Sequence, residues 1–221
     1  MPARADVFHG STTGINGVLY DDCLPYTFRW VLDAPDDAGY RDLSASLVEP
    51  DGGSSQTVIV YPDTNEAAGT AAFTLCTQVD PYGTYTIKAT VEWGPDVEHP
   101  DQGSAALPDS HFTLRKPASR TSVTASTRRP AYGQRVAFRI RAFDENPSGF
   151  LPQEFTWVHL ETRRDGRWVR IRGSRAVTHE NGSVKVRVRY LKHHHRTMRV
   201  RAVTERTAKY TRSVSPVVRL W

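Results

Sequence analysis

From Tyr85 to Trp93 the chain alternates. Tyr85, Ile87, Ala89, Val91 and Trp93 fall on one parity, and Thr84, Thr86, Lys88, Thr90 and Glu92 on the other. Successive side chains on extended backbone point to opposite faces, so a period of two hides one face and wets the other. The pattern predicts a strand of an antiparallel sheet with one solvated side. It recurs along the chain. Leu24, Tyr26, Phe28, Trp30 and Leu32 share a parity, as do Leu43, Ala45 and Leu47, then Phe73 and Leu75, then Phe112 and Leu114. Further on, Val136, Phe138, Ile140 and Ala142 oppose Arg135, Arg139 and Arg141. Val184, Val186 and Val188 oppose Lys185, Arg187 and Arg189. Met198, Val200 and Ala202 oppose Arg199 and Arg201.

Turn signals separate these runs at short intervals. Asn16-Gly17, Arg163-Arg164-Asp165-Gly166 and Asn181-Gly182 each suit a tight turn. Asn181-Gly182-Ser183 also fits an N-glycosylation pattern, and we read it as the turn. The segment Asp80-Pro81-Tyr82-Gly83-Thr84-Tyr85 resembles the tyrosine corner of immunoglobulin-like sandwiches, where a Tyr near the start of a late strand bonds back to the backbone. With Pro and Gly this frequent, little room is left for long helices. The expected fold is all-β: two tandem Ig-like antiparallel β-sandwiches.

Two domains follow from length and charge. The 221 residues are too many for one small sandwich. Residues 1–114 hold four basic and 17 acidic side chains, a net charge of −13; residues 115–221 hold 25 basic and seven acidic, a net charge of +18. The step falls at Leu114-Arg115-Lys116-Pro117-Ala118-Ser119, a polar, proline-bearing linker. The expected domains are an acidic sandwich over 6–114 and a basic one over 119–221.

Three stretches of the second half carry a family resemblance: Arg129-Pro-Ala-Tyr132-Gly133-Gln134-Arg-Val-Ala-Phe138; Val158-His-Leu-Glu-Thr-Arg-Arg-Asp-Gly-Arg-Trp168-Val; and Met198-Arg199-Val200-Arg201-Ala202 through Tyr210-Thr-Arg-Ser213-Val-Ser215-Pro216-Val217. They resemble the opening strand, the mid-domain hairpin and the closing segment of bacterial Ig-like domains in secreted actinobacterial proteins. Met198 stands where that family usually has an aromatic. The resemblance covers about residues 119–221. It implies a non-catalytic module that serves as a spacer or binding unit of a surface or secreted protein.

Cys23 and Cys76 are the only cysteines and lie in the same half. We expect them to be bridged, which requires an oxidising compartment. Their parity opposes that of Phe28, Trp30, Phe73 and Leu75, so the bridge is expected outside the aromatic core. Ala3-Arg4-Ala5 has the form of a signal-peptidase site, which would make Asp6 the first mature residue; a chance Ala-x-Ala is the equal alternative. The expected location is secreted or cell surface. Apolar runs are only a few residues long, so no membrane-spanning helix is predicted.

Candidate chemistry concentrates in the basic half. The outward arginines Arg135, Arg139, Arg141, Arg187, Arg189, Arg199 and Arg201 would form a flat basic face if their strands are neighbours in one sheet. Such a face suits an anionic cell-envelope polymer or glycan, or a protein partner. Nucleic acid is not expected, because interleaved aromatics and a recognition helix are missing from the pattern. Trp93, Trp168 and Trp221 are candidates for a sugar-stacking platform, while Trp30, Trp93 and Trp157 read as core. His193-His194-His195 reads as a solvated loop. The clusters Asp33, Asp36, Asp37, Asp42 and Asp96, Glu98, Asp101 lack any known calcium-loop spacing. No metal, no cofactor and no catalytic residue is expected, for no G-x-S-x-G, H-E-x-x-H, phosphate loop or dinucleotide fingerprint is present. The expected role is non-catalytic: structural or protein-interacting, with polymer binding through the basic face as the alternative. An enzyme without a recognisable motif is the remotest reading.

Overall fold

Alternation in the sequence becomes alternation in burial. In the strand Gly83–Gly94, Tyr85, Ile87 and Val91 are fully buried while Thr84, Lys88 and Glu92 face water. The computed structural model describes residues 9–33, 39–63, 66–96, 98, 103–191 and 197–221. Among these residues every regular element is a strand. The chain divides into two compact units, Met1–Arg115 and Lys116–Trp221.

Unit 1 contains β1 (His9–Gly14), β2 (Gly17–Val18), β3 (Leu24–Asp33), β4 (Tyr40–Val48), β5 (Ser54–Val60), β6 (Ala68–Leu75), β7 (Gly83–Gly94), β8 (Gly103–Ala106) and β9 (Ser110–Arg115). One sheet has the order β1-β3-β6. The other has the order β2-β9-β7-β4-β5, with β8 also paired to β7. These are the A-B-E and G-F-C-C′ sheets of an Ig-like sandwich. Phe28, Trp30, Leu32 and Phe73 from the first sheet meet Leu43, Leu47, Tyr85, Ile87 and Leu114 from the second in one core. Asn16-Gly17 does not make the tight turn expected of it. Gly17 opens β2, which leaves the first sheet and runs parallel to β9, and Asn16 Oδ1 accepts the Thr113 amide at 2.7 Å.

Tyr85 donates its hydroxyl to the Pro81 carbonyl at 2.5 Å, closing the corner anticipated from the sequence. Burial, followed by the charges of Asp80 and Glu49, pushes the phenol well above its ordinary pKa, so it stays a donor. Two residues further on stands Ile87, where antibody domains carry an inter-sheet cysteine. The disulfide of this unit lies elsewhere. Leu24 and Leu75 are ladder partners at the end of β3 and β6, and Cys23 and Cys76, one residue beyond each, are bonded with Cα atoms 4.3 Å apart. Cys23 is exposed and Cys76 buried, and neither is in the aromatic cluster that joins the two sheets.

Unit 2 contains β10 (Ser119–Ala125), β11 (Arg135–Asn146), β12 (Gly149–Pro152), β13 (Trp157–Arg164), β14 (Arg167–Arg170), β15 (Ala176–Val177), β16 (Ser183–Arg189), β17 (Met198–Thr204), β18 (Ser213–Val214) and β19 (Val218–Leu220). In one sheet β11 is central, flanked by β10 on one side and by β16 and β12 on the other. The second sheet has the order β14-β13-β17-β18, with β15 on β13 and β19 on β17. Phe138, Ile140 and Val186 face Leu160, Val200 and Ala202 across the core, and Met198 packs there too. Asp165 and Gly166, with φ of 48° and 78°, turn β13 into β14, as Asp-Gly predicts.

Candidate anion-binding face

The register of unit 2 decides which arginines stand together. Arg135 pairs with Arg189, Ala137 with Arg187, Arg139 with Lys185, and Arg141 with Ser183. All six cations of this set point away from the core and are exposed. Like charges directly opposite each other cost stability in a ladder, and here two such pairs occur on one face. Across β11, the β10 partners of Arg139 and Arg141 are Thr124 and Ser122, both small and polar. A shallow depression of about 450 Å³ spans the three strands, lined by Thr124, Ala137, Arg139 and Lys185 among others.

The carboxylates of unit 2 lie elsewhere. Asp144 and Glu145 sit at the far end of β11, where Glu145 accepts the Ala118 amide at 2.8 Å. Asp165 is at a hairpin tip, Glu154 and Glu180 are in connecting segments, and Glu161 and Glu205 serve the opposite sheet. Among the described residues no ion pair joins a carboxylate to Arg135, Arg139, Arg141, Lys185, Arg187 or Arg189. Arg120, one strand over, lies with its guanidinium 4.1 Å from the centre of the Phe150 ring, so that half-exposed aromatic is already covered by a cation.

Arg199 and Arg201 do not join this face. They lie on β17, in the other sheet, so the seven arginines grouped by parity divide five to two. Parity fixes which side of a strand faces water, not which sheet the strand enters. Arg201 is also committed to partners. Its Nε donates to Glu161 Oε2 at 2.7 Å, and its guanidinium lies 4.2 Å from the Trp168 ring centre. Glu161 Oε1 is 3.5 Å from His159 Nε2, and His159 Nδ1 is 3.1 Å from Glu205 Oε1. Arg175 grips Glu205 with two hydrogen bonds and stacks 3.9 Å above Trp157.

The result is a closed chain of contacts from Trp157 to Trp168, with each charge answered by its neighbour. Burial pushes the Glu161 carboxyl up, but the hydrogen bonds and charges of Arg201 and His159 outweigh it and leave the group below the usual carboxylate range. The Arg175 hydrogen bonds hold Glu205 below that range as well, against the opposing effect of burial. This network was missed from the sequence because contacting members such as His159 and Glu205 are 46 positions apart. Trp157, expected in the core, is 45 % exposed on this outer face, as its parity against Val158 and Leu160 requires. Trp93 and Trp168 are each part-buried, and Trp221 is exposed.

Of the acidic clusters, Asp36, Asp37 and Asp101 lie outside the described residues, as do His193-His194-His195 and Ala3-Arg4-Ala5. Asp42 accepts from the Tyr40 hydroxyl at 3.4 Å, and Asp96 Oδ1 accepts the Glu98 amide at 3.0 Å. Among the described residues no group of three or more His, Cys, Asp or Glu side chains is placed to hold a metal ion. No helix among them is long and apolar enough to cross a membrane.

No family model and no curated protein matches this chain. Solved structures similar to it include the Yersinia pseudotuberculosis adhesin InvE, at 13% identity and a TM-score of 0.35, over 96% of this chain and 58% of the adhesin. Trypsin-activated alpha-2-macroglobulin from Escherichia coli is similar at 12% identity and a TM-score of 0.35, over 97% of this chain and 15% of its own. The chain thus spans less than two thirds of either relative.

Proposed function

We propose that this chain is a non-catalytic, exported binding protein that holds a polyanionic surface against the outer face of the β10-β11-β16 sheet. The carrying observation is the set of six exposed cations, Arg135, Arg139, Arg141, Lys185, Arg187 and Arg189, on two adjacent strands without a carboxylate among them. Self-repulsion of this kind is relieved when an anionic partner arrives, and the partner's counterions are released. The Cys23–Cys76 bridge supports an oxidising, extracytoplasmic setting. There the available polyanions are envelope polymers, glycans and protein surfaces.

The test is retention of the full chain on immobilised anionic polymers across a salt titration. Binding through this face weakens steeply between 50 and 200 mM salt, and the combined substitution Arg187→Gln with Arg189→Gln reduces it. Retention that ignores salt, or that survives the substitutions unchanged, rejects the proposal.

A further inference from the structure

We infer that the polyanion recognised by this face is an extended phosphodiester chain free of bases and of sugar rings, of the poly(glycerol phosphate) type. The inference rests on the anion-binding reading above and narrows it to one ligand chemistry.

The first ground is spacing. Arg189, Arg187 and Lys185 follow one another at every second position of β16, and Arg135, Arg139 and Arg141 continue the series on β11 in the register Arg135–Arg189 and Arg139–Lys185. Two residues of antiparallel strand advance about 7 Å. The face therefore offers a cation at each step of about 7 Å, over roughly 20 Å of strand. In an extended chain three backbone bonds advance about 3.5 Å, so the six bonds that link successive phosphorus atoms through a glycerol unit span about 7 Å. One phosphate meets each step of the cation series. Arginine's fork matches two phosphate oxygens at once, and five of the six cations are arginine.

The second ground is what lies between the cations. The outward side chains interleaved with them are Ala137 on β11 and Ser122 and Thr124 on β10. None is a ring. Proteins that hold single-stranded nucleic acid add stacking of bases on exposed aromatic faces to their phosphate contacts. Beyond Arg141 the next outward residue of β11 is Phe143, part-buried beside its ladder partner Arg120, whose guanidinium also caps Phe150. Between the cations a polymer that relies on stacking finds no ring, whereas one that presents only phosphate and a short polyol finds charge, hydroxyls and a depression to lie in, with His179 on its wall.

The experiment measures binding of the full chain to fluorescent poly(glycerol phosphate) by anisotropy. Polygalacturonate and oligo-dT of matched charge are run alongside. The expected order places poly(glycerol phosphate) at least about tenfold tighter than either competitor. Its affinity falls about a hundredfold from 50 to 200 mM salt, as about five phosphate contacts on a single strand require. Arg139→Gln, Arg187→Gln and Arg189→Gln together lower it more than tenfold. Arg163→Gln with Arg170→Gln, which removes charge from the opposite sheet, changes it less than twofold. A melt of each variant confirms that it is folded, and Lys185→Gln alone, expected to weaken binding severalfold, serves if the triple variant is not.

Polygalacturonate binding as tightly or more tightly overturns the inference and leaves the broader anion-binding proposal standing. Tighter oligo-dT binding overturns it in favour of nucleic acid. Failure of all three polymers to bind, or binding that is indifferent to the β11 and β16 substitutions, overturns both.

Discussion

Arg139 and Lys185 are direct partners across the β11–β16 ladder, both exposed, and among the described residues no carboxylate is paired to either. A like-charge pair in this position is destabilising by roughly 0.2–1 kcal/mol. Lys185→Glu converts it to an attractive pair. Unit 2 is expected to melt a few degrees higher, by calorimetry at low salt, and the gain to shrink as salt screens the pair. The same variant loses affinity for polyanions. A gain in stability coupled to a loss in binding is the signature of a surface kept repulsive for a ligand; a variant that melts lower contradicts this reading.

The disulfide should matter to unit 1 and not to unit 2. Cys23 and Cys76 close a loop of sequence separation 53, for which the chain-entropy model gives about 4 kcal/mol. Reduction, or Cys23→Ser with Cys76→Ser, is expected to shift the denaturation midpoint of unit 1 strongly while leaving the midpoint of unit 2 in place. Mass spectrometry after alkylation verifies the starting state.

Acid should unfold unit 2 through its paired carboxylates. Glu161 and Glu205 are held below the ordinary range in the folded protein. Depressed carboxylates stabilise fully above their unfolded value of about 4.3, and the contribution is lost as pH falls through the lower folded values. Glu161→Gln removes the partner of a part-buried Arg201 and should cost about 2 kcal/mol at pH 7, between the values for exposed and buried pairs. Its melting temperature should also vary less between pH 7 and pH 3 than that of the parent. An unchanged pH profile would place the acid sensitivity elsewhere.

Gly69 faces Trp30 across β6 and β3, and the Trp30 ring occupies the space that a Cβ on Gly69 would need. Trp30 is 2 % exposed and cannot swing outward without opening the core. Gly69→Ala is therefore expected to destabilise unit 1 by about 1–3 kcal/mol, the usual cost of overpacking. Gly52, whose Cβ position is empty, is a useful contrast for space, although its φ of 92° strains any replacement there.

How much of this was legible in the sequence depends on the distance over which each feature is encoded. Strand faces are local, so Ile87, Phe138 and Val186 could be placed inside from neighbours two residues away. The tyrosine corner needed only Pro81 and Tyr85. The position of the bridge outside the aromatic core followed from parity too. Sheet membership is not local. Nothing in Met198–Thr204 says that its strand pairs with β13 rather than β16, and so Arg199 and Arg201 were grouped with cations that lie on the other sheet. For Trp157 two local cues conflicted: its size suggested the core, and its parity, which proved decisive, pointed to water. The Glu161–His159–Glu205–Arg175 chain depends on loops bringing distant strands together, which composition cannot reveal.

The bond between Cys23 and Cys76 also sets how far unit 1 can be stretched. Because it joins the chain just before β3 to the chain just after β6, force applied at the two termini bypasses every residue in between. At about 3.5 Å per residue, roughly 190 Å of contour stays hidden until a thiol reaches the sulfurs. Oxidised, unit 1 extends only a short way under load and reduced it extends much further, so the redox state of its surroundings determines its reach.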